Sequence, residues 1–242
     1  CSSDLGQFVS VVGSNGSGKT SMLNLICGSM QPDKGSIIIT VENEKTEFTG
    51  VKEYKRHRVI GRVYQNPSLG TCPSMTILEN MAIADNKGKP YGISTCVRKS
   101  RIEFYVEQLK TIGLDLESKL HVQVGSLSGG QRQCLALLMS TMNPIDFLIL
   151  DEHTAALDPK TADIVMEMTD SIVRKKKVTT LMVTHNMQNA LDLGNRTLMM
   201  DDGRIVYDVE GEERKSLTVE SLMEKFRAGA GKKLDNDRIL LS

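Results

Sequence analysis

The sequence predicts an α/β protein whose mostly parallel sheet is split by a helical block, and three observations carry that prediction. Short β-rich runs, among them Phe8 to Val12, Phe147 to Leu150, Thr179 to Val183 and Thr197 to Met200, end at glycine, acidic or polar residues. A helical segment from about Lys160 to Arg174 separates two of these runs, the alternation expected of a parallel sheet with both faces covered. Between Pro67 and Met142 the apolar spacing turns helical instead, so the strands on either side form one discontinuous core.

Each element has its own signal. Phe8 to Val12 runs into glycines, and Ser21 to Met30 then places Met22, Leu23, Ile26 and Met30 at helical spacing, which reads as strand, loop, helix. Pro32 to Gly35 is turn chemistry before a strand at Ile37 to Val41, and Val59 to Tyr64 is a further strand. Thr76 to Ala84, Thr95 to Ile112 and Ser128 to Met142 are the three helices of the inserted block. After the later strands, Asp201, Asp202 and Gly203 make a hairpin-type turn into Arg204 to Asp208, and Val219 to Ala228 is a terminal helix. The expected units are a core of residues 6–66 and 145–210, a helical subdomain of 67–144 and a C-terminal extension of 211–242.

Bulk composition narrows the functional classes. The 242 residues suffice to bury a sizeable core, and 30 acidic against 30 basic residues leave no net field toward nucleic acid or an anionic membrane. Cys1, Cys27, Cys72, Cys96 and Cys134 are scattered without paired ligand spacing, which fits a reducing compartment better than a disulfide framework or zinc site. Apolar runs such as Leu135 to Met139 fall far short of the roughly 20 residues that a membrane helix needs. Cys1 to Asp4 have neither a positive flank nor an apolar stretch, so no signal peptide is expected, and the late start anticipates a truncated N-terminus.

Gly13, Ser14, Asn15, Gly16, Ser17, Gly18, Lys19 and Thr20 form the Gly-x4-Gly-Lys-Thr pattern of a phosphate-gripping loop, with Ser21 opening the helix behind it. Its glycines let backbone N–H groups converge on phosphate oxygens. Lys19 reaches the β and γ phosphates, and Thr20 offers a hydroxyl to Mg2+. Asp151 follows four apolar residues, at the carboxyl end of a buried strand where a carboxylate can hold the Mg2+ shell, and Glu152 then projects toward an attacking water.

Ser128, Gly129, Gly130 and Gln131 have two readings. Ser and Gln three positions apart make a capping box, which needs no function. Two successive glycines lower helix propensity by about 1 kcal/mol each where a helix begins, a cost that makes sense where a phosphate approaches bare backbone. Asp158 before Pro159 is likewise an ordinary helix start, while Gln65 and His185 taken singly are a loop amide and a strand-end histidine.

The order of these pieces resembles that of ATP-binding subunits of ABC transporters. Gly13 to Thr20, Gln65, Leu127 to Gln131, Phe147 to Glu152, Ala156 to Asp158 and His185 follow the family succession of Walker A, Q-loop, signature, Walker B with catalytic glutamate, D-loop and switch histidine. The wording from Glu152 to Thr161, and the ending Asn236 to Ser242, also resembles ATPases of bacterial tryptophan- or tyrosine-type amino-acid uptake. The resemblance implies a RecA-like P-loop NTPase core, ATP and Mg2+ as ligands, and a head-to-tail dimer, with itself or a paralogous ATPase, enclosing two ATP molecules. Lys19, Glu152 and His185 take catalytic roles. Thr20, Gln65 and Asp151 serve the metal, Ser128 to Gln131 reach the other subunit's nucleotide, and Asp158 couples the sites.

It further implies transmembrane permease subunits docking near Gln65 to Met81, a solute-binding protein acting indirectly, and a peripheral place on the cytoplasmic face of the inner membrane. One departure is that members usually carry an adenine-stacking aromatic and further edge strands upstream of the loop, for which this chain starts too late. A non-transport ABC ATPase of DNA repair or translation is the alternative. One cassette, no sustained heptads and no basic stripe speak against it, and no nucleic acid is expected. A regulatory module without turnover conflicts with the presence of Glu152 and His185, and GTPase chemistry lacks an Asn-Lys-x-Asp guanine reader.

Overall fold

The computed structural model describes residues 6–41, 44–89 and 96–230. In chain order its elements are β1 (Phe8–Val12), α1 (Lys19–Cys27), β2 (Ile38–Val41), β3 (Glu44–Glu47), α2 (Glu53–Arg56), β4 (Ile60–Val63), α3 (Ile77–Asp85) and α4 (Ile102–Lys110). There follow α5 (Gly129–Thr141), β5 (Phe147–Asp151), α6 (Pro159–Lys176), β6 (Thr179–Val183), α7 (Met187–Asp192), β7 (Arg196–Asp201), β8 (Arg204–Glu210), α8 (Gly211–Lys215) and α9 (Val219–Ala230). Six strands make one sheet in the order β4-β5-β6-β1-β7-β8, parallel except for the β7–β8 pair, while β2 and β3 form a separate antiparallel pair.

Alternation along the strands sorts side chains onto two buried faces. Val9, Val11, Ile149, Leu181, Val183 and Leu198 pack with Leu23 and Cys27 of α1 on one face. Phe8, Leu148, Leu150 and Met182 pack with Leu137 of α5 and Val173 of α6 on the other. A further cluster, with Ile77, Met81, Tyr105, Leu109 and Leu135 fully or almost fully buried, joins α3, α4 and α5. β1 lies between β6 and β7, although the chain goes on from β1 and α1 to the far edge at β4. The carboxyl ends of β1, β5 and β6 therefore converge where the strand order reverses, the place where open parallel sheets bind ligands.

Several expected boundaries shift. α1 starts at Lys19 rather than Ser21 and ends at Cys27, because Gly28 takes a left-handed conformation at φ 89° and its N–H closes on Asn24. α4 starts at Ile102, after a single 3-10 turn over Lys99–Arg101, not at Thr95, which lies outside the described residues. The ending Asn236 to Ser242 and Cys1 also lie outside them. Cys27 and Cys134 are buried free thiols, and Cys72 and Cys96 are exposed ones.

Two buried arginines brace helices from their carboxyl ends. Arg56 donates to the carbonyls of Leu25 and Ile26 in α1 and of Thr49 and Val51. Arg214 donates to those of Ala190, Leu191 and Leu193 around the end of α7. Both helices begin at residues singled out by the sequence: α1 at the phosphate loop, α7 just after His185.

Candidate functional site

The loop after β1 is shaped by close approaches. A Cβ on Gly13 would come within 2.3 Å of the Met200 carbonyl oxygen, so only glycine fits beside β7 there. Gly16 and Gly18 have φ of 82° and 96°, a region that other residues seldom enter. Gly203, in the β7–β8 turn, donates its N–H to the Ser17 carbonyl at 3.0 Å, so the hairpin props the loop from outside. Lys19 folds back over the loop, its Nζ donating to the carbonyls of Gly13 at 2.7 Å and Ser14 at 2.8 Å. Burial pushes the Lys19 ammonium's pKa down, and the carboxylates of Glu152 and Asp151 oppose that effect.

α1 differs from the other helices that begin near selected residues. Thr76, Ser128, Asp158 and Asn186 each cap their helix with a side-chain oxygen, whereas α1 has Gly18 at that position and no side-chain cap. Its first residues line a cavity of about 190 Å³, bounded by Asn15, Gly16, Ser17, Gly18, Lys19, Thr20, Ser21 and Glu152. An uncapped helix start combined with a buried cation is a built anion site.

Glu152 sits at φ 45°, a strained conformation for a side-chain-bearing residue, held by its N–H donating to the Val183 carbonyl at 2.9 Å. That turn at the end of β5 sends its side chain into the cavity wall. His185, past the end of β6, places Nδ1 3.5 Å from Glu152 Oε2. Asp151 pairs instead with Arg62 of β4, Nη2 to Oδ2 at 2.8 Å, and its other carboxylate oxygen makes no hydrogen bond to the described residues.

Other selected residues lie apart from this cavity. Gln65 is exposed beyond the end of β4. Ser128 and Gln131 form the reciprocal capping box at the start of α5, and Asp158 accepts from the Thr161 N–H as the cap of α6. Gly129 is exposed, but Gly130 is not: a Cβ there would meet Thr161 Cγ2 at 1.9 Å. Close packing of α5 on α6 thus gives Gly130 a structural reason that the sequence reading, which credited both glycines to a phosphate, did not hold.

Sequence reasoning also missed supporting residues. Gln133 Nε2 donates to the Tyr64 carbonyl at 3.0 Å, linking α5 to the segment before Gln65. Arg132 donates to the Leu127 and Gly125 carbonyls just before the signature. A polar side chain inside an otherwise apolar helix face, as Gln133 is, was the available signal. A larger, open hollow of about 510 Å³ between α7, α8 and α9, lined by Gln188, Asp192, Arg214 and Thr218 among others, contains none of the selected residues.

Residues 2–155 match the family model described as ABC transporter. The chain belongs to the ABC transporter family. It is an ATP-binding subunit, and the family's cassettes are ATPases that bind ATP, form dimers and work with permease subunits. A tyrosine transport ATP-binding protein of Clostridioides difficile (strain R20291) is 49% identical over 91% of this chain and 86% of its own length. The methionine import ATP-binding protein MetN of Lactococcus lactis subsp. lactis (strain IL1403) is 30% identical over 88% of this chain, which spans 61% of that relative. Among solved structures, a dimeric ATP-binding cassette in a post-hydrolysis state bound to ADP and Pi matches with a TM-score of 0.70 and 28% identity, covering 87% of this chain and 88% of that one. A cassette in its ADP conformation, at 23% identity and a TM-score of 0.74 over 91% and 87% of the two chains, shares the fold. No helix among the described residues is long and apolar enough to cross a membrane.

Proposed function

We propose that two copies of this ABC ATPase close head to tail around two ATP molecules, and that the cycle powers import of an amino-acid-like solute through separate permease subunits. The observation that carries the catalytic part is the sharing of one cavity by the uncapped start of α1, Lys19 and Glu152, with His185 behind Glu152. Lys19 and the loop amides of Gly13 to Ser21 hold the phosphates. Glu152 takes the proton from an attacking water, while His185 orients that carboxylate and stabilises charge on the γ-phosphate.

The residues present fit Mg2+. Asp151 keeps one carboxylate oxygen free and Thr20 offers its hydroxyl beside the loop. Among the described residues no cluster of three or more His, Cys, Asp or Glu could hold a metal unaided. One carboxylate plus substrate phosphates is the usual Mg2+ arrangement, and the ion would neutralise charge on the phosphate oxygens. Gln65 completes that set as the sensor between nucleotide and permease.

Ser128, Gly129 and Gln131 lie apart from the cavity of their own chain, with Gly129 exposed, which supports their meeting the nucleotide of the opposing copy. Asp158, the cap of α6, couples the two sites in this reading. Because each site is complete only when the dimer is closed, ATP binding favours closure and hydrolysis favours reopening. The permease converts that change into alternating access, docking near Gln65 to Met81, between the sheet and the block of α3 to α5. The tyrosine transport relative supports an aromatic or related amino acid as the solute. In this reading a binding protein delivers the solute, and the chain is peripheral on the cytoplasmic face of the membrane.

Glu152→Gln tests the catalytic reading. ATP binding should persist while turnover falls by about 100-fold or more, the scale of a lost general base. Turnover close to the unmodified level would remove Glu152 from the mechanism.

A further inference from the structure

Arg62 has no place in the motifs that define the family site, yet among the described residues it makes the only hydrogen bond to the Asp151 side chain. It stands on β4 opposite Ile149 of β5, on the sheet face covered by α1. One end of its guanidinium, Nη2, donates to Asp151 Oδ2 at 2.8 Å, and the other, Nη1, donates to Asn24 Oδ1 of α1 at 3.1 Å. The Tyr64 ring lies beneath, 4.6 Å from the guanidinium carbon to the ring centroid. The Arg62 and Asp151 side chains are 8% and 16% exposed.

Stability is a poor explanation for such an arrangement. A buried ion pair often gains no more than a well-packed apolar pair would, because desolvation offsets the attraction. Arg62 Nε is moreover buried with no hydrogen-bond partner among the described residues, which adds a desolvation cost. The planar fork does one thing that an apolar residue cannot: it fixes a carboxylate on β5 and an amide on α1 from a third element.

We propose that Arg62 is a positioning residue for the metal carboxylate, orienting Asp151 with one oxygen outward and tying it through Asn24 to the helix that carries the phosphate loop. The Mg2+ end and the phosphate end of the site then move as one unit, so metal and triphosphate strengthen each other's binding. This inference rests on Asp151 serving the metal.

The test uses full-length protein carrying Glu152→Gln, so that hydrolysis does not consume the probe. Affinity for a fluorescent ATP analogue is measured in EDTA and in saturating Mg2+, and the ratio of the two is the metal enhancement. In Arg62→Met the ratio should fall about tenfold, the scale of a lost orienting partner beside a metal ligand, with affinity in EDTA little changed. Arg62→Lys, which keeps the charge but cannot bridge two partners, should also lower the ratio, and it serves as the readout if the Met variant does not fold. Asn24→Ala should lower it less and add nothing on top of Arg62→Met.

A ratio unchanged or raised in both Arg62 variants overturns the proposal, a rise meaning that the guanidinium only repels the cation. Asp151→Asn separates the two layers. If it keeps the full enhancement, Asp151 itself does not serve the metal; if it loses the enhancement while the Arg62 variants do not, only the role given to Arg62 fails.

Discussion

Gly130 at the start of α5 lies so close to Thr161 in the first turn of α6 that a Cβ would sit 1.9 Å from Thr161 Cγ2. Gly130→Ala should therefore destabilise the fold by about 1–3 kcal/mol through overpacking, although alanine favours helix. Thr161→Ser removes the obstructing methyl, so the double variant should recover most of that loss in urea unfolding. Additive costs would show that the two residues do not press on each other.

Gly129 should behave differently. It is exposed, and its added Cβ would meet only Leu157 Cδ2 at an ordinary 3.4 Å. Gly129→Ala should leave monomer stability unchanged or raise it by up to about 1 kcal/mol. Gly129→Asp, placing a carboxylate where the opposing copy's triphosphate is proposed to lie, should abolish turnover while the monomer stays folded. Normal ATPase rates in Gly129→Asp would take the signature out of the site.

His153 offers a pH test. It is buried, with Nε2 3.1 Å from Thr169 Oγ1, and burial pushes its pKa down to about 4. Thr169 already donates to the Val165 carbonyl, so Nε2 is the donor to its oxygen. Between about 4 and the ordinary 6.5 the unfolded chain binds the extra proton. Stability is therefore full above that window and falls as pH drops through it, by at most on the order of 3 kcal/mol. His153→Gln keeps an N–H for Thr169 but cannot titrate, so its stability should decline less from pH 6.5 to 4. Parallel declines in the two proteins would contradict this.

In the helical block, Asp85 is almost fully buried and accepts from Arg101 Nε and Nη2, Tyr105 Oη and Lys89 Nζ, all at 2.8–3.0 Å. Burial would raise its pKa, but these donors hold it down at about 2. Its contribution is thus present above the unfolded value of 3.8 and is lost as pH falls through about 2. Arg101→Met should cost about 1–3 kcal/mol, less than for a wholly buried pair because Lys89 remains and Arg101 is partly exposed. Adding Asp85→Asn should return part of that loss, as thermal unfolding would register.

The sheet and the phosphate loop were legible because their signals are local: apolar runs ending in glycines, and a loop whose spacing is dictated by phosphate geometry. β3 was not, since Glu44, Lys45, Thr46 and Glu47 are all exposed and show no apolar alternation, the strand existing only by pairing with β2. α2 is a single turn of polar residues whose reason is Arg56, and Arg56 acts on carbonyls of α1 some 30 residues away in sequence. The same holds at the site. Glu152 and Lys19 announce themselves, but Gly203 under the loop, Gln133 behind Gln65 and Arg62 beside Asp151 act across 69 to 186 positions, and no spacing rule reaches that far. The capping box of Ser128 and the helix start at Asp158 and Pro159 were legible because both are local signals, and both are present.

The central claim is that nucleotide is enclosed between two copies, and the mass of the Glu152→Gln protein with and without ATP tests it most directly. Sedimentation should show the 26.7 kDa chain alone without nucleotide and a particle of twice that mass with ATP, carrying two nucleotides, with Gly129→Asp abolishing the change. A chain that stays monomeric at saturating ATP, while the unmodified protein hydrolyses at a rate per subunit independent of dilution, would contradict it.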